Sequence, residues 1–247
     1  MAKRIALVMA AGKGLRMKSD LPKVLIPVRG RPMIAHVLDA LGAAGIDQIV
    51  VIVGYRSDLV RAELADWPGL QFVEQTEQLG TGHAVMACRE VLAAHAGPAF
   101  VIAGDSPMIQ AESVARLFDD YDRTPAACIL GTAFKDDPAG LGRILRDGEG
   151  RFLGIVEDRD ATEEQRRITE VNMSYYVFRT NDLLAALEEI RPNNIQGEYY
   201  ITDVPGVLRR RGLPVRALPV LKPGEVLGIN TAEELLAVEA AMQDGGR

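Results

Sequence analysis

The feature that most constrains this chain is its amino-terminal stretch, a short apolar run followed at once by a glycine loop rich in positive charge. The run Ile5–Ala10 predicts a strand buried on both faces. Gly12 and Gly14 let the backbone turn sharply and approach a ligand closely. Four cations follow within eleven positions, namely Lys13, Arg16, Lys18 and Lys23. Such a loop after a buried strand suits a polyphosphate, and a solvated basic turn is the alternative.

Two common phosphate-binding motifs do not fit this loop. The dinucleotide motif G-x-G-x-x-G requires a third glycine at the position of Met17. The P-loop motif requires a lysine after its last glycine, and Leu15 follows Gly14 instead. The loop therefore argues against a redox enzyme of the dinucleotide-binding type and against a P-loop NTPase.

Composition narrows the class of protein further. The 247 residues are 48% hydrophobic and 25% charged, as in an ordinary globular protein, and they suffice for one large α/β domain or two small ones. The net charge of −6 argues against a general nucleic-acid binder. Acidic substrates remain open, because the positive charge is concentrated in the first loop.

Cysteine usage and hydropathy indicate the compartment. Cys88 and Cys128 lie in apolar contexts without metal-like spacing, which suggests a reducing environment and no disulfide framework. No apolar segment approaches the ~20 residues that span a bilayer. The apolar run after Lys3 and Arg4 is too short for a signal peptide. We therefore expect a cytoplasmic protein that binds no membrane.

Apolar runs and helical patterns alternate through the first half of the chain. This alternation predicts a parallel sheet with right-handed crossovers, in which ligands bind beyond the carboxyl ends of the strands. All motifs are therefore expected at one edge of the sheet. After the first strand, the pattern predicts strands at 48–53, 70–73, 99–103 and 126–132, helices at 58–64 and 110–121, and an extended piece at 24–28.

Turns and short extended pieces dominate from Asp136 onward and predict an antiparallel insertion. Its strands are expected within 140–146, 152–156 and 170–178, followed by a helix at 180–190 and a late strand at 215–220. Asn172 is unusual in a β-favouring run, so its side chain either faces a ligand or is a buried structural amide. Thr231 and Glu234 have the spacing of a capping box that starts the final helix.

Two motifs in the first half of the chain have both a functional and a plain structural interpretation. Gly80, Thr81 and Gly82 open a helix whose free N–H groups could bind carbonyl or phosphate oxygens, and Thr81 could also cap that helix. Asp105 follows a predicted strand and Gly104, where it could be a metal ligand or a turn former.

The loop from Ala10 to Lys23 resembles the signature A-A-G-x-G-x-R-M…P-K of the sugar nucleotidyltransferases. It is most similar to the uridyltransferase (pyrophosphorylase) domain of bacterial N-acetylglucosamine-1-phosphate uridyltransferases. The resemblance runs through nearly the whole chain in order. The further matching stretches are 77–84, Gly104-Asp105, 140–143, 154–157, 160–162, 170–172, 196–203 and 228–230.

The resemblance implies Mg²⁺-dependent transfer of UMP from UTP to N-acetylglucosamine 1-phosphate, with release of pyrophosphate. It assigns Arg16 to the departing pyrophosphate and Lys23 to the α-phosphate and the incoming phosphate. It implies Asp105 and Asn230 as Mg²⁺ ligands. The implied substrate-binding residues are Ala10, Ala11, Gly12, Lys13, Gly14, Gln75, Gly80, Thr81 and Gly104 on the nucleotide side, and Gly142, Glu157 and Asn172 on the sugar side.

The implied fold is a Rossmann-like α/β fold with a mixed, mostly parallel sheet flanked by helices and a smaller antiparallel sugar-binding insertion. We expect residues 1–247 to form a single nucleotidyltransferase domain. Its nucleotide-binding part would cover roughly 1–135, its sugar-binding part roughly 136–230, and a carboxy-terminal helix and tail 231–247. The implied partners are UTP and a sugar 1-phosphate, and the oligomeric state is open.

The sequence differs from the family pattern in four places. Leu15 replaces a small hydroxyl residue, Ala103 replaces a tyrosine, Ser106 replaces an apolar residue, and Met173-Ser174 replace Thr-Gly after Asn172. The last change leaves another sugar 1-phosphate as an alternative acceptor. The chain also lacks the hexapeptide repeats of the acetyltransferase half of such enzymes, so acetyl transfer is not expected. A non-catalytic module that binds a nucleotide sugar is the alternative from another class.

Overall fold

The computed structural model describes residues 2–14, 19–229 and 231–244. Its strands are β1 (Ile5–Ala10), β2 (Pro27–Val28), β3 (Arg31–Pro32), β4 (Gln48–Val53), β5 (Leu70–Glu74), β6 (Pro98–Ala103), β7 (Cys128–Phe134), β8 (Gly142–Arg146), β9 (Phe152–Val156), β10 (Glu170–Arg179) and β11 (Val215–Leu218). Its α-helices are α1 (Met33–Ala43), α2 (Ser57–Glu63), α3 (Thr81–Met86), α4 (Arg89–Ala93), α5 (Ala111–Arg123), α6 (Glu163–Arg166), α7 (Thr180–Leu187), α8 (Val204–Arg210) and α9 (Ala232–Asp244).

Nine of these strands form one mixed sheet, which confirms the predicted fold class. The strand order is β11-β7-β10-β6-β1-β4-β5, with β8 paired to β10 and β9 paired to β8. Strands β5, β4, β1 and β6 run parallel, and β11 is parallel to β7. Strand β10 is antiparallel to β6, β7 and β8, so it joins the parallel part of the sheet to the antiparallel insertion.

Strand β1 lies near the middle of the sheet and is covered on both faces. Its alternate residues Ala6 and Val8 pack into one hydrophobic cluster, and Ile5 and Leu7 pack into another on the opposite face. All four are fully buried. A strand that is buried on both faces reads as a continuous apolar run, and this is why the sequence identified it.

Strand β10 contains the main irregularity of the sheet. Its register against β7 shifts between Asn172 and Tyr175, so Met173 and Ser174 form a bulge. Ser174 has a φ of +60°, a left-handed conformation that favours glycine. The family pattern has glycine at this position, and the backbone keeps the glycine-type conformation although the residue is serine.

The carboxy-terminal helix begins at a predicted capping box and contacts a hairpin that was not predicted. Thr231 and Glu234 form the expected capping box, with bonds of 3.1 and 3.2 Å between each backbone N–H and the other side chain. Strands β2 and β3 form a small hairpin that turns at Arg29 and Gly30. The Arg29 N–H donates to Glu239 Oε1 at 2.7 Å, which ties α9 to this hairpin.

One local expectation was wrong, and one alternative that the sequence left open is excluded. Residues 24–28 are not one extended piece, because Lys23–Leu25 form a 3-10 turn before β2. Thr81 does not cap α3, because Gly80 occupies the N-cap position and Thr81 is the first helical residue. Among the helices in the described ranges, none has both the length and the apolar character needed to cross a bilayer.

Candidate active site

The glycine loop leaves β1 at the carboxyl end of the sheet, as predicted. Ala10 and Ala11 are buried, and the Ala11 carbonyl accepts the Tyr55 N–H at 3.0 Å, which fixes the start of the loop against β4. Gly14 has a φ of +66°, and a Cβ there would lie 2.6 Å from the Lys23 Cβ. Glycine is therefore required at position 14, where the loop passes beneath the lysine.

The two cations of the described part of this loop differ in their surroundings. The Lys13 ammonium lies 5.2 Å from the centre of the Tyr55 ring, and the residue is exposed, as is Gly12. The Lys23 ammonium lies 2.6 Å from Asp105 Oδ2, with 16% of the lysine side chain and 29% of the aspartate side chain exposed. Lys23, which lies ten residues after Lys13 at the far end of the loop, thus contacts the carboxylate that is predicted to bind the metal ion.

Asp105 is held at this place by the strand that precedes it. The Gly104 N–H donates to the Met9 carbonyl at 2.9 Å and continues the pairing of β6 with β1 past the end of the strand. A Cβ on Gly104 would lie 3.1 Å from the Met9 oxygen. The close approach of the two backbones points the following residue, Asp105, beyond the carboxyl edge.

Two predicted residues cannot be placed. Arg16, assigned to the pyrophosphate, and Asn230, assigned to the metal ion, lie outside the described residues. Within the part of the chain that the structure describes, no group of three or more His, Cys, Asp or Glu side chains could hold a metal ion. Of the two predicted metal ligands, Asp105 is therefore the one whose surroundings the structure describes.

Three predicted nucleotide-side residues, Gln75, Gly80 and Thr81, lie together after β5. The resemblance implies that they contact the base, so we call residues 75–82 the base-binding loop. Gln75 is buried, and its Nε2 donates to the Gly80 carbonyl at 3.1 Å and contacts His83 Nδ1 at 3.0 Å. The two partners use both hydrogens of the amide nitrogen, so a ligand would meet the amide oxygen. His83 therefore orients Gln75.

A segment from the second half of the chain packs on this base-binding loop. The Tyr199 carbonyl accepts the Gly82 N–H at 2.7 Å, and the Tyr199 N–H donates to the Leu79 carbonyl at 2.8 Å. The Thr81 hydroxyl accepts the Ile201 N–H at 3.0 Å instead of capping its own helix. Gly80 has a φ of +106°, and a Cβ there would lie 2.6 Å from the Tyr199 oxygen. The close contact between segment 198–202 and the base-binding loop therefore requires glycine at position 80.

The three predicted sugar-side residues also form one group. Gly142 pairs with Asn172 across β8 and β10, and a Cβ on Gly142 would lie 3.5 Å from the Asn172 Cβ and 3.6 Å from Glu157 Oε2. The Thr202 hydroxyl donates to Glu157 Oε1 at 2.8 Å. Segment 198–202 therefore contacts both groups, the base-binding loop through Tyr199 and the sugar-side carboxylate through Thr202.

Burial dominates the electrostatics of the sugar-side group. It raises the pKa of the Glu157 carboxyl above its usual value, and the Thr202 hydrogen bond offsets part of this effect. Nearby acids, first Asp203 and then Asp160, raise the pKa further. Burial also raises the pKa of the Tyr176 phenol, which accepts a hydrogen bond from Asn172.

Three residues that support this group were not predicted to be functional. Arg143 is 1% exposed, donates to Asp158 Oδ1 at 2.9 Å and to the Leu141 carbonyl, and so holds the loop after Glu157. Thr202 and Tyr176 contact Glu157 and Asn172 as described above. The available signal was an arginine inside the matching stretch 140–143, and nothing in the sequence indicated that it would be buried.

Comparison with known proteins identifies the family. The family described as the MobA-like NTP transferase domain matches residues 6–199. The chain is 45% identical over 244 residues to the bifunctional protein GlmU of Heliobacterium modesticaldum, covering 99% of this chain and 53% of that protein. It is 46% identical over 235 residues to the bifunctional protein GlmU of Pelotomaculum thermopropionicum, covering 95% and 51%.

The chain thus spans about half the length of the curated relatives it matches. Among solved structures, UDP-glucose pyrophosphorylase complexed with UDP-glucose has the same fold, with a TM-score of 0.76 at 18% identity, covering 99% of this chain and 100% of that one. The family match extends over most of the sheet and over the glycine loop, the base-binding loop, Asp105 and the sugar-side group. The chain belongs to the family of MobA-like NTP transferase domains.

Proposed function

We propose that this chain transfers UMP from UTP to N-acetylglucosamine 1-phosphate and releases pyrophosphate, with residues 1–247 acting as a single nucleotidyltransferase domain. The observation that carries the proposal is the 2.6 Å contact between Lys23 and Asp105. It brings the cationic loop after β1 to the carboxylate after β6, beyond the carboxyl ends of adjacent parallel strands. Ligands of open α/β sheets bind at such an edge.

The chemistry requires charge neutralisation more than proton transfer. A sugar 1-phosphate is already an anionic nucleophile, so no general base is needed, and the main obstacle is its approach to a second anion. Two unit charges ~4 Å apart interact by roughly 4 kcal/mol at intermediate dielectric. Lys23 would stabilise the α-phosphate and the incoming phosphate, Lys13 would assist the triphosphate, and Arg16 would bind the departing pyrophosphate.

The orientation of Gln75 supports uracil as the base. Its amide nitrogen already donates to Gly80 and contacts His83, so the amide oxygen is the group that meets the base. This oxygen can accept the N3–H of uracil, whereas N3 of cytosine is itself an acceptor and would be repelled. The backbone around Gly80 and Thr81 would complete the base pocket.

Magnesium fits the donors at the edge of the sheet. Mg²⁺ prefers oxygen ligands, keeps several waters and takes only one or two protein oxygens beside phosphates. The half-buried Asp105 carboxylate offers such an oxygen, and Asn230 would offer a second. The bound ion would neutralise the triphosphate and help to place it. Lys23 and Asp105 contact each other, and in the proposed reaction the Asp105 carboxylate would hold the ion while the Lys23 ammonium would contact a phosphate.

The sugar-side group supports an acceptor with several hydroxyl groups. Glu157 can accept hydrogen bonds from sugar hydroxyls, the Gly142 backbone lies beside it, and Asn172 offers an amide. Met173, Ser174 and Ala103 depart from the family pattern, the first two directly after Asn172, and this observation favours a second candidate, the same uridyl transfer to a different sugar 1-phosphate. Cys88 and Cys128 are buried free thiols, which fits the proposed cytoplasmic location.

Pyrophosphate release over a grid of nucleoside triphosphates and sugar 1-phosphates tests the proposal. We expect the highest kcat/KM with UTP and N-acetylglucosamine 1-phosphate, and poor turnover with CTP. A higher kcat/KM with glucose 1-phosphate or another sugar 1-phosphate would establish the second candidate. Tight binding of UDP-sugars without turnover of any pair would overturn the enzyme and favour a regulatory module.

A further inference from the structure

The bulge in β10 brings together two side chains that a regular strand would keep apart. Asn172 and Tyr176 are four residues apart, a distance of about 13 Å along a regular strand. Against β7, however, Asn172 pairs with Thr132 and Tyr176 with Leu130, only two residues away. The bulge therefore shortens their separation along the sheet to about 7 Å and leaves both on the same face.

This spacing lets the two side chains form a buried hydrogen bond. Asn172 Nδ2 donates to the Tyr176 hydroxyl oxygen at 2.7 Å, and Tyr176 is fully buried. The other end of the amide is also held, because Asn172 Oδ1 accepts the Ser174 N–H at 3.4 Å from within the bulge. The ring of Tyr176 stacks on Phe178 with centroids 5.5 Å apart, which fixes the phenol in place.

We propose that Tyr176 is a positioning residue for the sugar site, which holds the Asn172 amide in the orientation that meets the sugar 1-phosphate. This inference rests on the proposed function, since it concerns the acceptor of that reaction. A fixed amide meets its ligand without losing rotational freedom on binding, whereas a free amide must first be ordered. Burial raises the pKa of the phenol, so Tyr176 stays neutral.

The neighbouring Tyr175 provides a matched control on the same strand. It is also fully buried, and its ring packs edge-on against Phe100 with centroids 6.2 Å apart. Strand alternation points it to the opposite face, where it packs in the other hydrophobic cluster and lies near Glu225. Tyr175→Phe therefore removes an equally buried hydroxyl without touching Asn172.

The test compares Tyr176→Phe with Tyr175→Phe in steady-state kinetics and thermal unfolding. For Tyr176→Phe we expect the KM for the sugar 1-phosphate to rise about tenfold, the scale of one lost hydrogen bond to a bound polar group, with kcat and the KM for UTP within about twofold. Tyr175→Phe should leave all three parameters unchanged. If the substitutions only reduced stability, Tm would fall in both variants, and the KM for the sugar 1-phosphate would not rise relative to the KM for UTP.

A double variant shows whether Tyr176 acts through Asn172. In an Asn172→Ala background, Tyr176→Phe should cause no further rise in the KM for the sugar 1-phosphate, because the amide it orients is gone. Equal KM values for wild type and Tyr176→Phe, or full additivity in the double variant, would overturn the inference while the uridyl transfer stands. Absence of turnover by the wild-type protein with every sugar 1-phosphate would overturn the proposed function, and this inference with it.

Discussion

The nucleotide side and the sugar side of the candidate site are built in different ways. The nucleotide side uses glycines at the ends of parallel strands and an ion pair, Lys23 with Asp105, that is still in part exposed. The sugar side uses buried polar side chains on antiparallel strands, with Arg143 at 1% and Asn172 at 6% exposure. Apart from the buried amide of Gln75, the first side therefore depends on backbone shape and accessible charge, whereas the second side depends on buried hydrogen bonds that support one another.

This difference predicts different responses to mutation. A change on the nucleotide side should affect rate and nucleotide binding while the fold persists, unless it replaces a glycine that another backbone contacts. A change on the sugar side should affect stability and acceptor binding together, because the same hydrogen bonds hold the loops and shape the site. The variants below are ordered from the largest expected effect to the smallest.

Asp105→Ala should have the largest effect and should act on rate alone. Loss of the carboxylate removes the proposed protein anchor for the metal ion, and a loss of at least about a thousandfold in kcat is expected, the scale of one essential electrostatic group. Because the pair with Lys23 is in part exposed, Tm should change little. Pyrophosphate release at saturating Mg²⁺ and differential scanning calorimetry measure the two quantities. The exposed Asp66, changed to Ala, is the control, and retention of rate by Asp105→Ala within tenfold would remove Asp105 from the site.

Arg143→Met should have the largest effect on stability. The substitution leaves the Leu141 carbonyl without its donor and leaves Asp158, whose side chain is 32% exposed, without its partner, so we expect a loss of about 1–3 kcal/mol in the free energy of unfolding. Arg151→Met is the control, because its side chain is 70% exposed although it also pairs with two acids, Asp147 and Glu149. The control should change the free energy of unfolding by less than about 1 kcal/mol in urea denaturation. Equal losses of stability in the two variants would mean that the buried Arg143 stabilises the fold no more than the exposed Arg151 does.

Gly80→Ala should weaken UTP binding. The new Cβ would need a left-handed backbone and would meet the Tyr199 carbonyl at 2.6 Å, so segment 198–202 or the start of α3 must move, at a cost of about 1–3 kcal/mol. We expect at least about a tenfold rise in the KM for UTP. Gly154→Ala on β9 is the matched control, because nothing lies within 4 Å of its Cβ position. If both variants bind UTP equally, the glycine at position 80 is not required for the base pocket.

The same contrast explains what the sequence could predict. Glycines and the strand-end aspartate were recognised because their constraint is local, set by φ or by the residue next along the chain. The buried runs Ile5–Ala10 and Gln48–Val53 were recognised because a strand covered on both faces is apolar throughout. The fold class follows from such runs and the helices between them.

Contacts between distant parts of the chain could not be predicted in this way. A cap on its own helix was the structural alternative for Thr81, but its hydroxyl accepts the N–H of Ile201, which is 120 residues away. Arg143 resembles any surface arginine until the loop that carries Asp158 folds over it. The bulge in β10 is not visible either, because Ser174 stands where glycine would have signalled a left-handed residue.

Glu157→Gln should have the smallest effect on stability and should act in the opposite direction to Arg143→Met. Because burial raises the folded-state pKa of this carboxyl, the ionised form destabilises the fold at neutral pH, and this cost disappears as the pH falls below the unfolded-state pKa. Glutamine removes the charge and still accepts the Thr202 hydrogen bond. The variant should therefore have a higher Tm than wild type at pH 7, and the difference should vanish toward acidic pH.

The same substitution should weaken acceptor binding, since the sugar hydroxyls lose a charged acceptor. We expect the KM for the sugar 1-phosphate to rise about tenfold with the KM for UTP unchanged. Glu149→Gln, at a side chain that is 72% exposed, is the control and should change neither quantity. A lower Tm with an unchanged KM would make Glu157 a structural acid, and the sugar side would then be a scaffold without a binding carboxylate. A higher Tm with a higher KM would mean that the sugar side retains a buried charge for binding at the expense of stability.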